Sequence, residues 1–356
     1  MLQPRQLGFI ALDVADLEST VRFYQDVVHF EVSEERGGVV YMTGGREHHW
    51  LALKQSKTPG LNRVAFEMNN LSDLEAMEAR LRSAGVAVER GSALAKERVD
   101  QYIRFPDPDG ITIELFADMI TLPAPPTYSH RVHTQKLLHT VLLERDINRS
   151  LKFYTELLGF QISDWVERTA AFMRCGDHYH HSLGVFGTGG TRTAIDHMCI
   201  LVPTLDDLMR ARANVLALNV PLRNDLLRHA PSGSMGIYLR DEANNFVIEF
   251  CTEHGQITAD DHRPRVLPAV PETLDTWRSV GPSKDRHIAG PSMMPAIEGN
   301  SSDDTSHPID DVQAIGRLGV SESDGAAAGN IATTDKKKTK AAGKPGKRGH
   351  VRESAG

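Results

Sequence analysis

Three residues of this chain, His139, His197 and Glu249, have the side-chain types that hold a redox-active metal on one face. Two neutral imidazoles and a carboxylate fill three positions and leave the others open, a donor set that suits non-haem Fe(II) and oxygen chemistry. The three stand far apart in the chain, so only a folded sheet brings them together. Each lies in an apolar run of strand length: LLHTVLL over 137–143, AIDHMCILV over 194–202 and NFVIEF over 245–250. Runs of that kind put the three side chains on strands rather than on loops.

The elements that must position them are written twice. In residues 7–30, LGFIALDV reads as a strand, Asp16 as an N-cap, and Leu17, Val21, Tyr24 and Val28 as one helical face. At an offset of 130 the same frame returns as Asp146 followed by Ile147, Leu151, Tyr154 and Leu158, with Gly159 expected to be left-handed. The later portions repeat at an offset of 134. Leu74, Met77, Leu81 and Val86 become Leu208, Ala211, Val215 and Val220, with Gly85 and Asn219 at matching helix ends. Such self-similarity implies four strand–helix–strands modules of about 50 residues, two per domain, with boundaries near 60, 130 and 190.

The repeat also acts as a control. The counterparts of His139 and His197 are Phe9 and Arg63, and only Glu249 keeps its type, as Glu114. A first domain with Phe and Arg at those places has no ligand set and reads as scaffold. His48 and His49, counterparts of His180 and His181, are expected to do no chemistry. We therefore expect a first domain over 1–130, a metal-bearing domain over 131–255 and an arm over 256–281 that covers the site, with Trp277 among its apolar residues. Residues 282–356 are Ser, Asp, Gly, Ala and Lys with few aromatics, cannot bury enough apolar surface to fold, and are expected to be a disordered tail.

A net charge of −7 gives no global signal for nucleic acid or membrane, and the basic far end of the tail is taken as solvated. The longest apolar runs are about six residues, well short of the roughly 20 that span a bilayer. The opening MLQPRQLGF lacks a signal-peptide core, and Cys175, Cys199 and Cys251 form no disulfide framework, so a cytoplasmic protein with buried thiols is expected.

Two further strings complete the pattern. GDHYHHSLGVFG carries His181, and LRHAPSGSMGIYLRDEANNFVIEF carries His229, Tyr238 and Glu249. Over roughly residues 7–253 the chain resembles the type I extradiol ring-cleavage dioxygenases, catechol 2,3-dioxygenase and 2,3-dihydroxybiphenyl dioxygenase-like, of the vicinal oxygen chelate (glyoxalase/bleomycin resistance) superfamily. The resemblance implies an α+β fold of two vicinal-oxygen-chelate domains, each of paired βαβββ modules forming a half-open barrel. It implies Fe(II), with Mn(II) as the other candidate metal, held by His139, His197 and Glu249. It makes His181 the acid–base and oxygen-stabilising residue, and has His229 and Tyr238 hydrogen-bond the substrate oxygens. The implied activity is extradiol cleavage of a catechol-type substrate by O2 in aromatic-compound catabolism, by a homo-oligomer.

Alternatives stay open at this point. His180 is a rival to His181. An aryl-pyruvate dioxygenase or a glyoxalase-like lyase or isomerase could use the same ligands, and a non-catalytic binding protein of the same fold would not need them. The turn before Glu249 departs from its first-domain counterpart: Asp107 to Glu114 is 7 steps, Asp241 to Glu249 is 8. A slip inside the strand would turn Glu249 to the wrong face, so the extra residue is expected in the turn.

Overall fold

The computed structural model describes residues 1–126, 132–259 and 261–278. The tail expected over 282–356 and the end of the expected arm lie outside the described residues. The first half runs β1 (Gln6–Val14), α1 (Leu17–Asp26), β2 (Glu31–Arg36), β3 (Val39–Thr43), β4 (Leu51–Gln55), β5 (Gly60–Glu67), α2 (Leu71–Ser83), β6 (Glu89–Gly91), β7 (Val99–Pro106) and β8 (Thr112–Met119). The second half answers with β9 (Lys136–Glu144), α3 (Ile147–Lys152), β10 (Gln161–Val166), β11 (Ala170–Arg174), β12 (Leu183–Gly187), β13 (Ala194–Leu201), α4 (Leu205–Ala217), β14 (Leu222–Arg228), β15 (Met235–Asp241) and β16 (Phe246–Thr252). Two short elements follow, β17 (Arg265–Leu267) and α5 (Pro271–Leu274).

Each half is one mixed sheet with its helices on one face. The strand orders are β2-β3-β4-β1-β5-β8-β7-β6 and β14-β15-β16-β13-β9-β12-β11-β10-β17, the same order read from opposite ends, with β17 added. Side-chain alternation sorts the residues. Ile10, Leu12, Leu142 and Ile200 join the large core beneath the helices, whereas Phe9, Ala11, Val141 and Leu143 belong to small clusters on the opposite face. Helix starts match the expectation. Asp16 accepts from Ser19 N and Asp146 from Arg149 N, each satisfying a free N–H of a first turn. One local departure occurs: the helix begun by α3 continues as a π-helical turn over Phe153–Leu157 before Gly159 ends it at φ +81°.

Register carries the repeat down to single residues. Phe9 pairs with Ala65 and Ala65 with Glu114; His139 pairs with Cys199 and Cys199 with Glu249. The extra residue before Glu249 sits in the turn, as expected. Asp241 still pairs with Phe246 at the foot of the β15–β16 ladder, and Asn245 takes a left-handed φ of 51°. Glu249 thus keeps the face that Glu114 has.

Residues 261–278 follow the second sheet as a short arm. Its strand β17 lies parallel to β10, with Arg265 opposite Asp164. Thr276 N then donates to Arg228 O, and Ala230 N to Thr273 O, on the β14 side. The arm therefore bridges the two outer strands of the second half, β10 and β14, and closes its open side. Leu274 is the buried apolar residue of this segment, packed with Leu227, Tyr238 and Val247, whereas Trp277 is 43% exposed. Of the apolar residues expected in the arm, Leu274 rather than Trp277 turns inward.

Candidate metal centre

The inward faces of β9, β13 and β16 bring His139, His197 and Glu249 together. His139 Nε2 lies 3.3 Å from His197 Nε2, and Glu249 Oε2 lies 3.1 Å from the first and 3.3 Å from the second. All three residues are buried. Despite these approaches, neither Glu249 oxygen has a partner in hydrogen-bond geometry. A buried carboxylate without partners is costly, and three lone-pair donors converging on one point is the arrangement a cation resolves. The residues fit the metal that the sequence implies. Their local surroundings are prepared as well. His197 Nδ1 is 2.7 Å from Asp196 Oδ2, which commits that nitrogen to donating, so that the neutral ring offers Nε2 to a metal. Asp196 is gripped by Arg223 through contacts of 3.1 Å. Burial would raise the Asp196 carboxyl, but His197 and Arg223 prevail and hold it at about 2. Burial keeps His139 neutral, with a pKa lowered to about 4. Gly236 in β15 is required here, since a Cβ at that position would come within 2.9 Å of Glu249 Oε1.

The other three predicted residues flank this set. The His181 ring lies 4.1 Å from that of His139, centroid to centroid, and is tilted against Phe172 at 4.7 Å. Burial, then the neighbouring histidines, keep it neutral well below the ordinary imidazole value. On the other side His229 Nε2 is 2.7 Å from Tyr238 Oη and 3.6 Å from Glu249 Oε1. Tyr238 faces Glu249 across the β15–β16 ladder, and burial raises its phenol well above the usual range. All six residues line one pocket that encloses about 30 Å³, closed on the arm side by Leu274. That volume is far below the roughly 300 Å³ of a small-molecule site, so a ring enters only if Leu274 or its neighbours move.

Sequence reasoning missed several neighbours. His180, read only as a rival to His181, is 4% exposed and bonded at both ring nitrogens, to Asp164 and to His181. Asp164 was findable, because Glu34 stands 130 positions before it beside His48. His254 lies against His139 and His181 with neither ring nitrogen bonded. No signal marked it, since the first half has Met or Ile at that place. Of three arginines on β14 and β15, Arg223 is held by Asp196, Arg228 by Glu253, and Arg240 lines a separate cleft of about 900 Å³ between the halves.

Comparison with known proteins agrees with this geometry. The profile of the Glyoxalase/Bleomycin resistance protein/Dioxygenase superfamily matches residues 6–115 and 136–250, one match per half. An iron-dependent extradiol dioxygenase of Rhodococcus jostii is 32% identical over 225 residues, covering 58% of this chain and 74% of that protein. A biphenyl-2,3-diol 1,2-dioxygenase of Paraburkholderia xenovorans is 28% identical over 221 residues, covering 57% and 73%. In fold, the chain superposes on the Mn(II)-bound glyoxalase of Novosphingobium aromaticivorans with a TM-score of 0.73 at 23% identity, covering 83% and 97%. No helix among the described residues is long and apolar enough to cross a membrane. Two half-barrels in one register, a metal-ready second half and these relatives agree: the chain belongs to the glyoxalase/bleomycin resistance protein/dioxygenase superfamily, among its extradiol dioxygenases.

Proposed function

We propose that this protein cleaves a catechol-type ring beside its two hydroxyls with O2, using Fe(II) held by His139, His197 and Glu249. The observation that carries the reading is the pair of buried, unpartnered Glu249 oxygens facing two imidazole Nε2 atoms. Fe(II) held by these three residues would supply open coordination positions and redox chemistry for a diol and O2. The N/O donor set also accepts Mn(II).

The remaining work falls to the chain. Tyr238 and His229, bonded to each other, stand beside Glu249 where a diol hydroxyl would lie, and the imidazole takes the proton that the phenol relays. His181, neutral and on the His139 side, holds and returns a proton to the oxygen-derived side of the reaction. Val141, Phe172 and Phe186 give the ring an apolar wall and keep water out. A glyoxalase-like reading is weaker, because Phe9 and Arg63 leave the first half without ligands.

The test is anaerobic Fe(II) reconstitution, then addition of O2 with a panel of monocyclic, bicyclic and carboxylated catechols, followed by ultraviolet–visible absorbance. A ring-cleavage chromophore with at least one catechol is expected. Stoichiometric iron with no chromophore from any of them would overturn the reading.

A further inference from the structure

The bonding around His181 determines which of its nitrogens carries hydrogen. His181 Nδ1 is 3.0 Å from His180 Nδ1, and His180 Nε2 is 2.8 Å from Asp164 Oδ2. Asp164 is fully buried, and Arg265 of the arm donates to its Oδ1 from the backbone N at 2.8 Å and from Nε at 3.1 Å, while the guanidinium Nη2 donates to Oδ2 beside His180. Burial would raise the Asp164 carboxyl, but hydrogen bonds from His180 and Arg265 outweigh it and keep the group below its ordinary value. A carboxylate has no hydrogen to offer, so His180 Nε2 donates. Burial, the largest influence, lowers the pKa of His180, and the ring is neutral with Nδ1 bare. The hydrogen in the 3.0 Å contact therefore belongs to His181 Nδ1, and Nε2, across the ring from His180, keeps its lone pair.

We propose that Asp164 and His180 are positioning residues that hold His181 in its Nδ1–H tautomer, with Nε2 as the proton-accepting atom at the metal pocket. The proposal rests on His181 being the acid–base of the function proposed above. It also assigns the arm a second task, since Arg265 fixes the orientation of the carboxylate that starts the chain of bonds.

The first half contains the same device. His48 Nε2 is 3.3 Å from Glu34 Oε2, His48 Nδ1 is 3.1 Å from His49 Nδ1, and Arg98 grips Glu34. There His49 ends against Phe9, with Nε2 buried and unpartnered. The geometry alone thus occurs where there are no metal ligands, and the test must separate packing from tautomer control.

Asp164→Asn makes that separation. Its oxygen stays on the fixed Arg265 backbone N–H while the half-exposed guanidinium swings away from the former Oδ2, which turns the amide NH2 toward His180 Nε2. His180 then carries its hydrogen on Nδ1 and donates to His181, whose own hydrogen moves to Nε2. An Asp-to-Asn change behind a catalytic histidine is known to act through the wrong tautomer in this way. Histidine-selective 15N NMR of the full-length, metal-free protein reads the tautomer directly. We expect Nδ1–H at His181 in the parent and Nε2–H in Asp164→Asn. In the iron-loaded enzyme, kcat should fall about 10–100-fold with the catechol KM nearly unchanged. Glu34→Gln should convert His49 in the same manner and leave kcat at the parent value. Should Asp164→Asn fail to fold, His180→Gln replaces it, with mixed His181 tautomers and a similar loss of kcat expected. An unchanged His181 tautomer, or a changed one with normal kcat, overturns the proposal. A parent that cleaves no catechol defeats the functional reading instead, and the NMR result then decides the tautomer alone.

Discussion

In the first half, Glu114 Oε2 accepts from Arg63 Nε at 2.8 Å and Arg104 Nε at 2.6 Å, and both guanidiniums continue to Glu97. In the second half, the same positions on the same strands are His197 and Tyr238, and Glu249 has no hydrogen-bonded partner. Phe9, under the Arg63 guanidinium, stands where His139 does. A carboxylate buried in a sheet interior needs a counter-charge. One half supplies it from its own side chains; the other surrounds it with imidazoles in an arrangement that fits a cation. The difference teaches that the same place in the sheet holds a carboxylate in both halves, matched by two arginines in one and by metal-ligand residue types in the other.

The comparison breaks most sharply at the carboxylates. Glu249→Ala, like His139→Ala or His197→Ala, should take iron from stoichiometric to background, whereas Glu114→Ala should keep full iron while destabilising the fold by about 1–3 kcal/mol, the cost of leaving guanidinium donors without that acceptor although both arginines keep Glu97. Iron content per chain and the denaturation midpoint check both. Retention of iron in His197→Ala would sink the assignment.

The next effect is on chemistry rather than binding. His181→Phe should keep its iron and its catechol affinity but lose about 10²–10⁴-fold in kcat, read from steady-state kinetics at saturating catechol and O2. Near-normal turnover would remove His181 from the mechanism.

The arm sets the halves apart in a third way, since β17 has no counterpart in the first sheet. A chain ending at residue 255 retains every proposed ligand but lacks Leu274 and Arg265. It should bind iron and lose most of its turnover, whereas a chain ending at residue 290 should match the parent. Equal activity of the two would refute a role for the arm.

The smallest effect sharpens the comparison outside the site. Glu144 is buried where the first half has Val14, and burial, then Asp107, push its pKa up to about 10. With a folded value above the unfolded one, its stabilising contribution is complete below the ordinary carboxyl range and is lost as pH rises toward 10. Glu144→Gln does not titrate, so its Tm should exceed that of the parent at alkaline pH and converge with it near pH 4. Parallel Tm curves across that range would refute the burial effect.

Periodicity and repetition made much of this legible without coordinates. Offsets of 130 and 134 aligned Asp16 with Asp146 and Gly85 with Asn219, and assigned Phe9 and Arg63 to the places of His139 and His197. Strand parity then put the two histidines and Glu249 on one face, because a pleated strand alternates its side chains whatever surrounds it. What reaches across the face was decided by tertiary structure alone. That Arg104 meets Glu114, that Asp164 closes on His180 sixteen residues later, and that Leu274 rather than Trp277 shuts the pocket depend on register and rotamer. His254 is the plainest case, since it lies beyond β16, the last strand with a counterpart in the first half, where no repeat constrains it. Sequence patterns encode the direction of a side chain; which partner it meets depends on how separately encoded strands are stacked.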